Sequence, residues 1–111
     1  MKENLLKNIK MFLKSASAVY DLSDYTSATI LYFKAFFVAT DYISLETIGK
    51  SAKDHTERFR ILEQNFPDLY KFLDSTFQIY QKTYSYTIDK KTCDMVRENV
   101  ERIIKKYKIP I

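Results

Sequence analysis

One side chain in this sequence ionises near neutrality, His55, and Lys53, Arg58 and Arg60 flank it. A positive surround lowers an imidazole's pKa and favours the neutral base. At that position a histidine could act as a general base or touch a phosphate near a helix start. A first-turn histidine also caps a helix or packs between helices with no chemistry attached. The second group is Tyr84 and Tyr86, close to Lys82, Lys90 and Lys91. Aromatic rings among cations suit base stacking beside phosphate contacts; the same rings can instead pack back on the core and leave their hydroxyls in water. Lys53, His55, Lys82, Tyr84 and Tyr86 are therefore the candidates for contact with a ligand or partner. His55, Tyr84 and Tyr86 are also the candidates for any catalysis, although no catalytic constellation is assigned. Cys93 lies on an apolar stripe, where a thiol behaves as a small hydrophobe.

Much chemistry is excluded by composition. The chain has 111 residues, with one Cys, one His and one Gly. A lone Cys excludes an internal disulfide and a multi-cysteine zinc site. A lone His excludes a two-histidine acid–base pair within one chain. A single glycine leaves no room for a glycine-rich phosphate loop. The glutamates Glu57, Glu63, Glu98 and Glu101 do not form the Glu-x-x-His pattern of di-iron bundles, and no metal or cofactor is expected. Eighteen basic against fourteen acidic side chains give a net charge of +4, modest for a chain dedicated to wrapping nucleic acid.

The elements that must position these residues are helices. At 46% apolar and 15% aromatic the chain can build one packed domain over residues 1–111. Apolar spacing of three and four predicts a first helix from Glu3 to Tyr20, then a break at Asp21–Asp24, with Ser23 or Asp24 as the next N-cap. A second helix, Tyr25 to Ser44, is apolar on more than one side. Ala28, Leu31, Tyr32, Ala35, Ala39 and Tyr42 form one face; Ile30, Phe33 and Phe37 form another, expected to meet a second subunit. Thr47 to Lys53 reads as a loop around Gly49, and Asp54 as the cap of a third helix ending at Phe66-Pro67. Pro67 opens a fourth helix to Lys82, with Leu69, Phe72, Leu73, Thr76, Phe77 and Tyr80 as its stripe. Thr83 to Asp89 reads as an extended connector ending in Asp89 as an N-cap, and Lys90 to Tyr107 as the last helix. The sum is an all-α, antiparallel up-and-down bundle of four or five helices. The apolar stretch Thr26 to Thr40 is broken by Lys34 and falls short of the roughly 20 residues a bilayer span needs, and no signal peptide is evident, so a cytoplasmic protein without a membrane partner is expected.

The order of these features resembles the HEPN family of small helical-bundle proteins. The likeness centres on Asp24-Tyr25-Thr26-Ser27-Ala28 leading into the run from Tyr32 to Ala39, on Ile48 to His55, where a basic residue shortly precedes a His, and on Tyr84-Ser85-Tyr86 before the last helix. It covers about residues 10 to 105. The resemblance implies a bundle that pairs as a homodimer through its central helices. It further implies a partner of the minimal nucleotidyltransferase type, as in toxin–antitoxin-like pairs, or the binding of RNA or a nucleotide. Ribonucleases of the family carry an Arg, four to six residues, then a His near the last helix. Tyr80 to Arg102 holds no His; Tyr84 stands where the His would be, and Tyr86 matches a Tyr that a partner modifies in some members. Tyrosine, with a pKa near 10, is a poor base at neutral pH. The expectation is a non-catalytic binding protein, with a diverged metal-independent ribonuclease or a structural adaptor domain as the alternatives.

Overall fold

Asp24, Asp54 and Asp89 set the helix starts. Each carboxylate accepts a hydrogen bond from the backbone N–H three residues on, at Ser27 (3.0 Å), Glu57 (2.8 Å) and Thr92 (2.8 Å). Such caps satisfy N–H groups that the helix itself leaves without acceptors. A computed structural model describes all residues 1–111 and places five helices: α1 (Lys2–Asp21), α2 (Tyr25–Ile48), α3 (His55–Asn65), α4 (Pro67–Lys82) and α5 (Lys90–Lys106). There are no strands.

The stops are equally local. Ser23 and Lys108 take positive φ, 62° and 52°. Behind Ser23, the Asp24 N–H bonds back to Val19 O and the Ser23 N–H to Tyr20 O. Behind Lys108, Ile109 N–H bonds to Ile104 O and the Ile109 side chain returns into the core. Both are left-handed turns that satisfy the last carbonyls of a helix. Gly49 closes α2 the same way, at φ 75°. The second helix is thus one turn longer than the expected end at Ser44, because Leu45 to Ile48 stay helical until a residue free to turn left-handed arrives. Phe66 is the whole junction between α3 and α4, held extended by Pro67. The Thr83–Asp89 connector is extended only in its second half. Thr83 to Ser85 prolong α4 as a turn, and the chain then runs past the start of α2, where Ile88 N–H donates to Thr26 Oγ1.

Helix α2 packs against all four others. Lys2 pairs with Glu46 at 2.8 Å, so α1 runs antiparallel to α2; Lys106 and the Tyr107 hydroxyl reach Asp68, so α5 runs antiparallel to α4. The core is one cluster: Phe33, Phe36, Ala28, Ala35 and Ala39 from α2, Ile9 and Ala16 from α1, Leu62 from α3, Leu69 and Leu73 from α4, and Cys93, Val96 and Val100 from α5. At 24 residues and mean hydropathy 1.2, α2 has the length and composition of a membrane span, longer than the Thr26–Thr40 stretch suggested. Its burial comes from its own neighbours, with 61% of its most apolar window covered inside the bundle.

That burial corrects part of the expected subunit face. Phe33 is 0% exposed and Phe37 6% within the single chain, so neither has surface to offer a second copy. Phe33 meets Phe72 and Tyr80, and Phe37 meets His55, Phe77 and Tyr80. Only Ile30 of the three keeps accessible surface.

Phe36 is fully buried and lies edge-on to Phe72 at 5.0 Å. Phe36→Ala is expected to lower unfolding free energy by about 4 kcal/mol in urea titration. A Cβ on Gly49 would meet nothing within 4 Å, so Gly49→Ala should cost only its left-handed strain, about 1 kcal/mol.

Candidate functional site

The α2–α3 loop and the Asp54 cap put His55 in the first turn of α3, facing α2 and α4. Phe12 of α1, Lys34, Phe37 and Val38 of α2, Lys53 and Asp54 of the loop, His55 and Arg58 of α3 and Tyr80 of α4 enclose an open cleft of about 380 Å³. That is within the range of clefts that hold small ligands. Its floor is aromatic: the His55 ring lies 4.6 Å from Phe37, 5.4 Å from Phe77 and 6.1 Å from Tyr80, all edge-to-face. Its rim carries the ammonium groups of Lys34 and Lys53, both on exposed residues.

Arg58 lies beneath the rim, 9% exposed. Its Nη2 donates to both oxygens of Asp41, at 3.0 and 3.3 Å, and its Nη1 lies 2.8 Å from His55 Nδ1. The guanidinium also stands over the Phe37 ring at 5.1 Å. A guanidinium has donors and no acceptor, so His55 Nδ1 must supply a lone pair. The ring is then neutral, with its proton on Nε2. That atom has no partner in the chain and is not sealed from solvent. Burial, then Arg58, then Lys34 hold the His55 pKa below its ordinary value. Burial raises the Asp41 carboxyl above the usual range, with Arg58 pulling the other way. In this state the imidazole is a hydrogen-bond donor; its one basic nitrogen is occupied by Arg58.

Of the candidate residues, Lys53 and His55 line the cleft together. Tyr84 joins it through Tyr80, the two rings being 6.5 Å apart edge-to-face. Tyr84 is 83% exposed and Tyr86 67%, so both rings stand in solvent and do not pack back on the core. Lys82 and Tyr86 do not line the cleft; the Tyr86 N–H merely continues the helical turn to Lys82 O. Sequence reasoning missed Asp41, Lys34, Phe12 and Tyr80, and it named Arg58 only as part of the positive surround of His55. Lys34 carried a signal, as the one charge in the most apolar stretch. Arg58 carried another, three residues after His55 and therefore on the same side of α3. No group of three or more His, Cys, Asp or Glu side chains is placed to hold a metal ion. Cys93 is buried, and burial pushes its thiol pKa up.

Because the folded chain holds the His55 proton less tightly than the unfolded chain does, acid favours unfolding. Stability should be flat at neutral pH and fall as pH drops below the ordinary histidine value of 6.5. His55→Gln should remove that part of the acid dependence, leaving the carboxylates to act at lower pH; melting temperature against pH for both proteins checks it.

The chain matches no family model, and it matches neither a curated protein nor a solved structure.

Proposed function

We propose that this chain is a HEPN-like, non-catalytic bundle that acts in the cytoplasm as a homodimer and binds RNA or a nucleotide in the cleft around His55. The observation that carries this reading is the combination in one cleft of the partly exposed Tyr80 ring, two rim lysines and an imidazole N–H donor, above the buried Phe37. Bases stack on aromatic rings in single-stranded complexes, and cations follow the phosphates. The non-catalytic reading is supported by the state of His55. Metal-independent phosphodiester cleavage needs a base with a free lone pair, and the Nδ1 lone pair faces Arg58. Tyr84 and Tyr86, which the resemblance aligns with the family's motif, are exposed, and Tyr84 adjoins the cleft residue Tyr80, so a nucleotidyltransferase partner in a toxin–antitoxin-like pair has access to them.

The homodimer takes a narrower form than the sequence implied. Ile30 lies one turn before the cleft residue Lys34 on α2, outside the cleft lining, and keeps accessible surface. A second copy seated there brings two clefts near one two-fold axis.

The chain is expected to sediment as a dimer, and Ile30→Glu to sediment as a monomer with unchanged helical circular dichroism. A wild-type monomer at all working concentrations defeats the dimer. In fluorescence anisotropy, short single-stranded RNA should bind with a marked salt dependence. Lys34→Ala with Lys53→Ala should reduce the log–log salt slope by about 1.4. Intact RNA after incubation with excess protein completes the expectation; absence of RNA and nucleotide binding favours the adaptor reading.

A further inference from the structure

Asp41, Arg58 and His55 form a row of hydrogen bonds that begins inside the bundle and ends at the cleft. A buried ion pair adds little net stability, because both charges leave water to form it. Here the cost is higher still, since Arg58 Nε is buried with no acceptor in the chain. Stability therefore does not account for an arginine at this place. What the pair does is fix a ring. Asp41 holds the guanidinium, the guanidinium occupies Nδ1, and Phe37 and Phe77 confine the imidazole from the sides. The outcome is a single N–H that meets the cleft in one orientation and one protonation state.

We propose that the polar end of the cleft takes a phosphate group, bound by His55 Nε2–H with the ammonium groups of Lys34 and Lys53, and that Asp41 and Arg58 are positioning residues for His55. This rests on the reading of the cleft as a site for RNA or a nucleotide, and it names the group recognised there. The donors come from three places, α2, the α2–α3 loop and α3. A tetrahedral phosphate offers oxygens in as many directions, whereas a planar carboxylate offers two in one plane. Lys34 and Lys53 supply the positive charge; Lys53 Nζ also lies 4.0 Å from Glu57 Oε2, and the Asp54 carboxylate in the lining is engaged by the Glu57 N–H, so the net positive charge at this end is modest and suits a phosphate of charge near −1. The charged and titratable groups around His55 are Lys34 and Asp41 from α2, Lys53 and Asp54 from the loop, Arg58 from α3 and Tyr80 from α4; α1 contributes only Phe12.

Because the chain has one histidine, NMR of the imidazole nitrogens reads this site alone in the full-length protein. At neutral pH the wild type should show a neutral ring protonated on Nε2. Inorganic phosphate, and then a nucleoside 5′-monophosphate, should move the Nε2 resonance. His55→Ala should weaken phosphate binding about tenfold. Arg58→Met should mix the two tautomers and weaken binding to a similar degree. Asp41→Asn, of unchanged size, tests the same row should Arg58→Met fail to fold. Tighter binding of 5′-phosphorylated than 5′-hydroxyl RNA identifies an RNA end as the source of the phosphate; equal RNA binding with a response to the monophosphate identifies the free nucleotide. An imidazolium or an Nδ1–H tautomer in the wild type overturns the positioning role. If phosphate and monophosphate leave His55 unmoved while RNA still binds, the phosphate site is wrong and the cleft reading survives. If none of them binds, the cleft reading itself fails.

Discussion

Helix α2 has almost no side that water would tolerate, and the other four helices are arranged around that fact. Eleven of its 24 residues are buried, including Phe33, Phe36 and Phe37. A helix of that length is about 36 Å long, close to the 38 Å long axis of the molecule. The long dimension is therefore the length of the element that needs cover. Helix α1 lies along it, α5 closes a second flank, and the α3–α4 hairpin covers part of a third. What remains between α1 and the hairpin is the strip with Lys34 and Val38, and the cleft sits there. The site is thus a by-product of covering a four-sided apolar helix with too few partners.

This explains which features could be read from the sequence. Every expected helix is present, because apolar spacing at three and four residues reports directly on which side is buried. Val96, Val100 and Ile103 of α5 show it plainly. The three aspartate caps were legible because capping is a matter of local sequence. Ser23 was read as a cap candidate and instead supplies the left-handed residue that ends α1. For α2, periodicity had no single side to report. Its faces looked alike, and Phe33 and Phe37 were given to a second subunit when α4 already covers them.

Half of the site was legible. His55 and Lys53 were singled out by type and by their place in sequence. Arg58 was named only as part of the positive surround of His55, and Asp41 was not named, since their pairing spans seventeen residues and joins two helices. Only the packing of α3 on α2 turns them inward. Tyr80 was read as part of an apolar stripe, which it is, yet its ring also links the cleft to Tyr84.

The connections also divide the molecule in time. The pairs α1–α2 and α3–α4 are neighbours in sequence as well as in space, whereas α5 must return to α2 from the far end of the chain. Local contacts form quickly and distant ones await loop closure. During synthesis α2 therefore emerges with α1 available to cover one flank, while the flank that receives Cys93, Val96 and Val100 stays bare until α5 leaves the ribosome. For that interval the nascent chain exposes an apolar surface that α5 is shaped to cover.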